Sequence, residues 1–156
     1  MRPPPAAKAR SATGIPDELA EVVPLVVNLA RQPVPRFDVY IGRDFRGYRD
    51  QGFGNPLKLR KEGRLARAEL LVAYWGWLNC DVPKARSVRR RIRAGELTGK
   101  VLGCWCASKG LCHGHVLAGL ALGRIEEVRS WMASLDEEVS RAGWSAQAPV
   151  GARGGP

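Results

Sequence analysis

The chain has 156 residues, of which 45% are hydrophobic and 26% charged, which is ordinary for one globular domain with a real core. No stretch reaches the roughly 18 apolar residues needed to cross a bilayer, and no apolar segment follows the basic Met1–Arg10 start. Neither a membrane-spanning helix nor a secretory signal is expected from these features, and a cytoplasmic protein with no membrane partner is expected instead. In that reducing compartment clustered cysteines serve as metal ligands or reactive thiols more often than as disulfides.

The net charge of +10 is concentrated in residues 31–100, which hold 17 Lys and Arg against 7 Asp and Glu. A local excess of that size attracts phosphates or polyanions, and it also serves solubility alone. Residues 1–20, with Pro3-Pro4-Pro5, read as a disordered leader, and residues 141–156 as a flexible tail. The α/β domain is expected over residues 21–140.

In chain order, the β-branched run Val22–Leu29 contains a first strand and Asp38–Gly42 a second. Residues 43–61, with four glycines or prolines among Phe45, Tyr48 and Phe53, read as a long loop. Arg64–Asn79 has helical apolar spacing at Leu65, Ala68, Leu71, Val72, Trp75 and Leu78. Trp75 is expected inside and Trp77 partly outside, with Cys80 in the core beyond the helix end. A second helix runs from a cap at Asp81, through Pro83, to Gly95. Its Lys84, Arg86, Arg89, Arg90, Arg91 and Arg93 are suited either to a nucleic-acid backbone or to a solvated face. A strand at Val101–Cys106, a loop through Ser108, a helix from His113 to Leu122 and an amphipathic helix from Arg124 to Val139 complete the pattern. Strands alternating with helices give an α/β fold: a small single domain with a mostly parallel sheet of a few strands flanked by helices.

Three of the four cysteines and both histidines fall within the twelve residues Cys104–His115, directly after the apolar run Val101–Gly103. On a strand Cys104 and Cys106 share one face, and Cys112 and His113 return at a helix start. Three readings follow. Cys104, Cys106, Cys112 and His113 form a tetrahedral metal site, with zinc as the cofactor. Alternatively, Cys112 and His113 are catalytic, the thiolate being favoured by the helix dipole and a neighbouring imidazolium. Or the cysteines simply pack the core. Glycines around the loop permit close approach of a ligand, which Arg43 or Lys58 would meet through its phosphate. Asn55 would recognise a polar edge or cap a turn.

Val27-Asn28-Leu29, Asp38–Arg43, Gly54-Asn55-Pro56, Gly63 with Arg67, Tyr74 and Trp77, Leu97–Lys100, then Cys104, Cys106 and Cys112-His113-Gly114 occur in that order. Together they resemble an uncharacterised phage and bacterial family, domain of unknown function 4326, over about residues 26–122. The resemblance implies a compact α/β fold and one pocket joining the Tyr40–Arg43 turn, Asn55 and the cysteines; it brings no established reaction. Three departures stand out: Phe53 replaces the customary Trp before Gly-Asn-Pro, Ser108 replaces a Pro, and His115 replaces an Asp after Cys-His-Gly. A reaction that used that Asp would be altered here.

The function expected from these features is a domain acting on or binding a nucleotide, nucleoside or nucleic acid through the Cys/His cluster. Tyr40, Arg43, Asn55 and Lys58 would be its ligand-binding residues, and a phosphate-bearing small molecule or a nucleic acid its partner. The alternatives are a zinc-stabilised nucleic-acid-binding module and a phage inhibitor of a host protein.

Overall fold

The computed structural model describes residues 14–106 and 110–143. A 3₁₀ segment, Asp17–Leu25, leads into β1 (Val26–Asn28), followed by β2 (Val39–Tyr40), α1 (Arg64–Leu78) and α2 (Pro83–Arg93). Then come β3 (Leu102–Cys104), α3 (His113–Ala121) and α4 (Ile125–Arg141). The three strands form one parallel sheet in the order β1-β3-β2, with helices around it, so the chain is α/β.

The strands are short, and each departs from its expected length for a physical reason. Val22–Leu25 joins the 3₁₀ segment instead of β1 because Pro24 has no N–H to give to a ladder. β3 ends at Cys104, and the chain turns at Trp105 instead of continuing to Cys106. Register is fixed by pairing Val26 and Val39 to Leu102 from opposite sides. At the start of the sheet the Asp38 carboxylate accepts the Val101 N–H at 2.8 Å, while the Asp38 N–H donates to the Val101 carbonyl at 2.8 Å.

Ile15, Leu19 and Val22 are fully buried, so ordered structure begins earlier than residue 20. The leader before residue 14 and the tail after residue 143 lie outside the described residues, as does Ser108. Helix α1 lies against α2, α3 and α4, which widens its buried arc to Ala66, Ala68, Leu71, Tyr74 and Leu78. Tyr74 is therefore fully buried, whereas both Trp75 and Trp77 are half-buried. Each fully buried Leu on that face contributes about 1.5–3 kcal/mol relative to exposure. Cys80 is exposed, contrary to its expected core position, because the chain leaves the α1 terminus along the surface toward Pro83. The cap of α2 is Val82, not Asp81, whose carboxylate instead pairs with Arg86 at 2.6 Å.

Candidate functional site

The cluster is assembled at the carboxyl end of β3, the middle strand. Cys104 closes the strand and is 3% exposed. After the turn at Trp105, Cys106 brings its sulfur to 3.0 Å from that of Cys104, so the two meet without sharing a strand face. Cys112 caps the N-terminus of α3, its Sγ accepting the Gly114 N–H at 3.3 Å. A Cβ on Gly114 would come within 2.7 Å of Ile41 Cδ1 and 2.9 Å of Val26 Cγ1. The absence of a side chain there lets the start of α3 press onto the sheet.

His113 fixes the geometry. Its Nε2 lies 2.9 Å from the Ile41 carbonyl oxygen and 3.1 Å from that of Phe53. Carbonyls only accept, so Nε2 carries a proton and Nδ1 is turned toward the sulfurs, 3.7 Å from Cys106 Sγ. Such an anchored far nitrogen is the usual support of a metal-binding imidazole. The ligand atoms of Cys104, Cys106, Cys112 and His113 all lie within 4.8 Å of one another. A tetrahedral ion with sulfur at about 2.3 Å needs sulfurs about 3.8 Å apart, so small side-chain shifts suffice. These four residues can hold a metal ion.

The charges in the cluster are strongly interdependent. Hydrogen bonds from Cys106 and Cys112 hold the Cys104 thiol far below its ordinary value, as a thiolate. Burial pushes the Cys112 thiol up, outweighing the helix N-terminus expected to favour its thiolate. Burial disfavours a charged His113, but the Cys104 thiolate more than compensates and raises its pKa. His115 is pushed down to about 4 by burial and stays neutral. Burial likewise raises the Tyr74 phenol, whose ring packs edge-on against His113 with centroids 5.2 Å apart.

A cleft of about 640 Å³ opens over the cluster. Tyr40, Arg43, Asn55 and Lys58 line it together with Cys104, Cys106 and His113. Cys112 is 1% exposed and does not reach the cleft wall. Arg43 and Lys58 are exposed and have no carboxylate partner among the described residues. Asn55 lines the cleft and caps a turn, its Oδ1 accepting the Leu57 N–H at 2.9 Å. The buried Tyr40 hydroxyl donates to the Arg43 carbonyl at 2.5 Å, holding that turn to the sheet.

The family model Domain of unknown function (DUF4326) matches residues 27–123. The chain belongs to that family. No curated protein and no solved structure matches it. The matched residues of this DUF4326 domain carry β1 from its second residue, β2, β3, the cluster and the cleft.

Of the departures from the family pattern, Phe53 stays functional in the local architecture: it is 1% exposed, and its carbonyl supports His113. His115 is 4% exposed and is not part of the cleft wall. Several cleft residues lie outside the expected ligand-binding set. Arg67 is paired with Glu62 at 3.1 Å and reaches the cleft from the first turn of α1. Phe45 and Trp105 supply an aromatic wall, and only the loop's run of aromatics hinted at it.

The basic helix divides in two. Arg86 pairs with Asp81, Arg89 donates to the Leu78 and Cys80 carbonyls, and Arg91 bonds Glu96 and the Gln51 carbonyl while lying 4.0 Å from the Phe53 ring centroid. Arg89 and Arg91 tie α2 to neighbouring segments, whereas Arg86 makes an exposed surface pair. Lys84, Arg90 and Arg93 are exposed without a carboxylate partner among the described residues. Among the described residues, no helix is long and apolar enough to cross a membrane.

Proposed function

We propose that this DUF4326 domain holds zinc through Cys104, Cys106, Cys112 and His113 and binds a nucleotide by its phosphates in the cleft above it. The observation that carries the reading is the opening of Cys104, Cys106 and His113 onto one cleft with Arg43, Asn55 and Lys58. Three sulfurs and one imidazole are a soft donor set that selects zinc over the hard cations. Cys112, sealed from the cleft, serves as a ligand and not as a nucleophile; His113, with Nε2 committed to two carbonyls, does the same. Four protein ligands would fill the tetrahedral shell of a zinc ion, so the metal would brace the cleft floor and hold the thiolates in place. Arg43 and Lys58 would receive phosphate oxygens, Arg43 bidentately. The amide of Asn55 adds a directed polar contact.

Elemental analysis of the full chain, purified without chelator, tests the metal directly. About one zinc per chain is expected, lost in Cys104→Ser and Cys112→Ser. Calorimetric titration with ADP tests the cleft, and Arg43→Ala with Lys58→Ala should remove binding while zinc content holds. A folded protein that takes up neither zinc nor any phosphate compound would overturn the reading.

A second reading, a zinc-stabilised nucleic-acid-binding module of the cell interior, is supported by the unpaired Lys84, Arg90 and Arg93 on α2. DNA or RNA binding that weakens steeply with salt and falls in Arg90→Ala would favour it.

A further inference from the structure

The cations and the metal site leave one feature of the cleft unused, an aromatic rim. Phe45 is 47% exposed, and among the described residues no other aromatic side chain is so open. It meets Trp105 edge-on, with centroids 5.2 Å apart, and both rings line the cleft. Arg46 places its guanidinium 5.1 Å from the Phe45 ring centroid and 5.5 Å from that of Trp105.

This rim is rigidly built. Phe45 and Tyr48 exchange backbone hydrogen bonds of 3.0 and 2.9 Å across the two-residue tip Arg46-Gly47. Both tip residues have positive φ, 48° and 87°, the signature of a type I′ turn. A left-handed arginine is disfavoured on its own, so the surrounding contacts must impose it. They do so through three supports. Asp44 Oδ1 accepts the Asp50 N–H at 2.7 Å, Tyr48 stacks on buried Tyr40 at 5.0 Å, and Tyr48 also meets Trp105 edge-on at 5.8 Å. About half of the Phe45 surface stays open, and the ring lines the cleft.

We infer that Phe45, Trp105 and Arg46 form a base-stacking subsite, which makes the cleft's ligand a free nucleotide recognised at both ends. The inference rests on the nucleotide reading above and adds the base to it. A nucleobase lies against the Phe45–Trp105 rim, with Arg46 bracing the two rings, while Arg43 and Lys58 hold the phosphates. Stacking tolerates every base because each has a π face, so the rim selects nucleotides over simple phosphates without choosing among bases.

Calorimetric titration of the full chain with ADP, with pyrophosphate and with a single-stranded DNA decamer separates the terms. ADP is expected to bind about tenfold or more tighter than pyrophosphate, from stacking alone. Phe45→Leu, which keeps apolar bulk but has no ring, should remove most of that advantage and leave pyrophosphate binding unchanged; Phe45→Tyr should retain it. Equal affinity for ADP and pyrophosphate, or equal losses for both in Phe45→Leu, would overturn the base subsite and leave the phosphate cleft standing. Failure of both ligands to bind would remove the cleft reading itself. A decamer that binds more tightly than ADP in a Phe45-dependent way would overturn the free-nucleotide assignment in favour of single-stranded nucleic acid.

Discussion

Replacing Arg89 with Ala tests whether the basic helix is built for the fold or for a ligand. Helix α1 ends at Leu78 with carbonyls that have no partner inside the helix. Arg89, reaching across from α2, donates to the carbonyl of Leu78 and, at 2.8 Å, to that of Cys80. It also places a positive charge at the negative end of the α1 dipole. A hydrogen bond from a charged donor contributes about 1.5–3 kcal/mol when buried. Here the side chain is half-buried and the Cys80 bond is exposed, so water replaces part of what is lost. The expected cost of Arg89→Ala is therefore about 2 kcal/mol for the pair of bonds. For a chain of this size that lowers the melting temperature by about 4–8 °C. Arg90→Ala, one residue on and fully at the surface, should stay within about 0.5 kcal/mol of the parent. Thermal and urea unfolding followed by circular dichroism measure both. If Arg89→Ala melts within a degree of the parent, or no lower than Arg90→Ala, the assignment of Arg89 to the helix terminus is refuted.

Arg91→Ala removes a cation from the Phe53 ring and a 2.6 Å bond to the Gln51 carbonyl, so a loss of about 1–3 kcal/mol is expected in the same unfolding experiment. Because the Phe53 carbonyl supports His113, the proposed zinc should also leave the variant for a chelator faster, and an unchanged release rate would separate the two. Tyr74 buries a hydroxyl with no partner among the described residues, so Tyr74→Phe should be neutral or stabilising by up to about 1 kcal/mol. A melting point several degrees lower would show that the hydroxyl bonds the sulfur cluster. With a thiol reagent under native conditions, exposed Cys80 should be modified first, and Cys104 and Cys112 only after unfolding or chelation. Peptide mapping that finds Cys112 labelled in the native protein would contradict its burial.

The parts of this molecule legible in its sequence are the local ones. Cys104, Cys106, Cys112 and His113 sit within ten residues, and no fold with a turn between strand and helix could send them far apart. The α2 boundaries followed from Pro83 and Gly95, because one fixes the first turn and the other ends the helix. Burial was harder to foresee. Spacing alone put Val72 and Trp75 inside α1, but a helix contacted from three sides buries a rotated and wider arc, and Tyr74 fell at its centre. The exposed Cys80 shows the same problem at a helix end, where residue type says little about the direction the chain leaves. Least legible were the contacts made by backbone. The Ile41 and Phe53 carbonyls that orient His113 belong to residues whose side chains predict only core packing. The division of the arginines was also hidden, since the carbonyls that engage Arg89 and the ring beneath Arg91 appear only once α1, α2 and the loop are folded together.

The placement of the cluster explains why the cleft forms where it does. In a parallel sheet, ligands gather beyond the carboxyl ends of the strands. With β3 between β1 and β2, the chain leaving β2 at Tyr40 emerges beside the chain leaving β3 at Cys104, and Ile41 still donates to the Gly103 carbonyl at 3.0 Å. The loop that leaves β2 carries Arg43, Phe45 and, farther on, Phe53 and Asn55. Its two ends are held by one imidazole, because Nε2 of His113 reaches both the Ile41 and the Phe53 carbonyl. The other nitrogen of the same ring faces Cys106. A ring rotated to suit a metal must therefore keep both loop ends in place, and a loop displaced by a ligand must pull on the ring. The Cys/His cluster and the cleft are joined through one side chain of the α3 N-terminus, and no relay through the hydrophobic core is required.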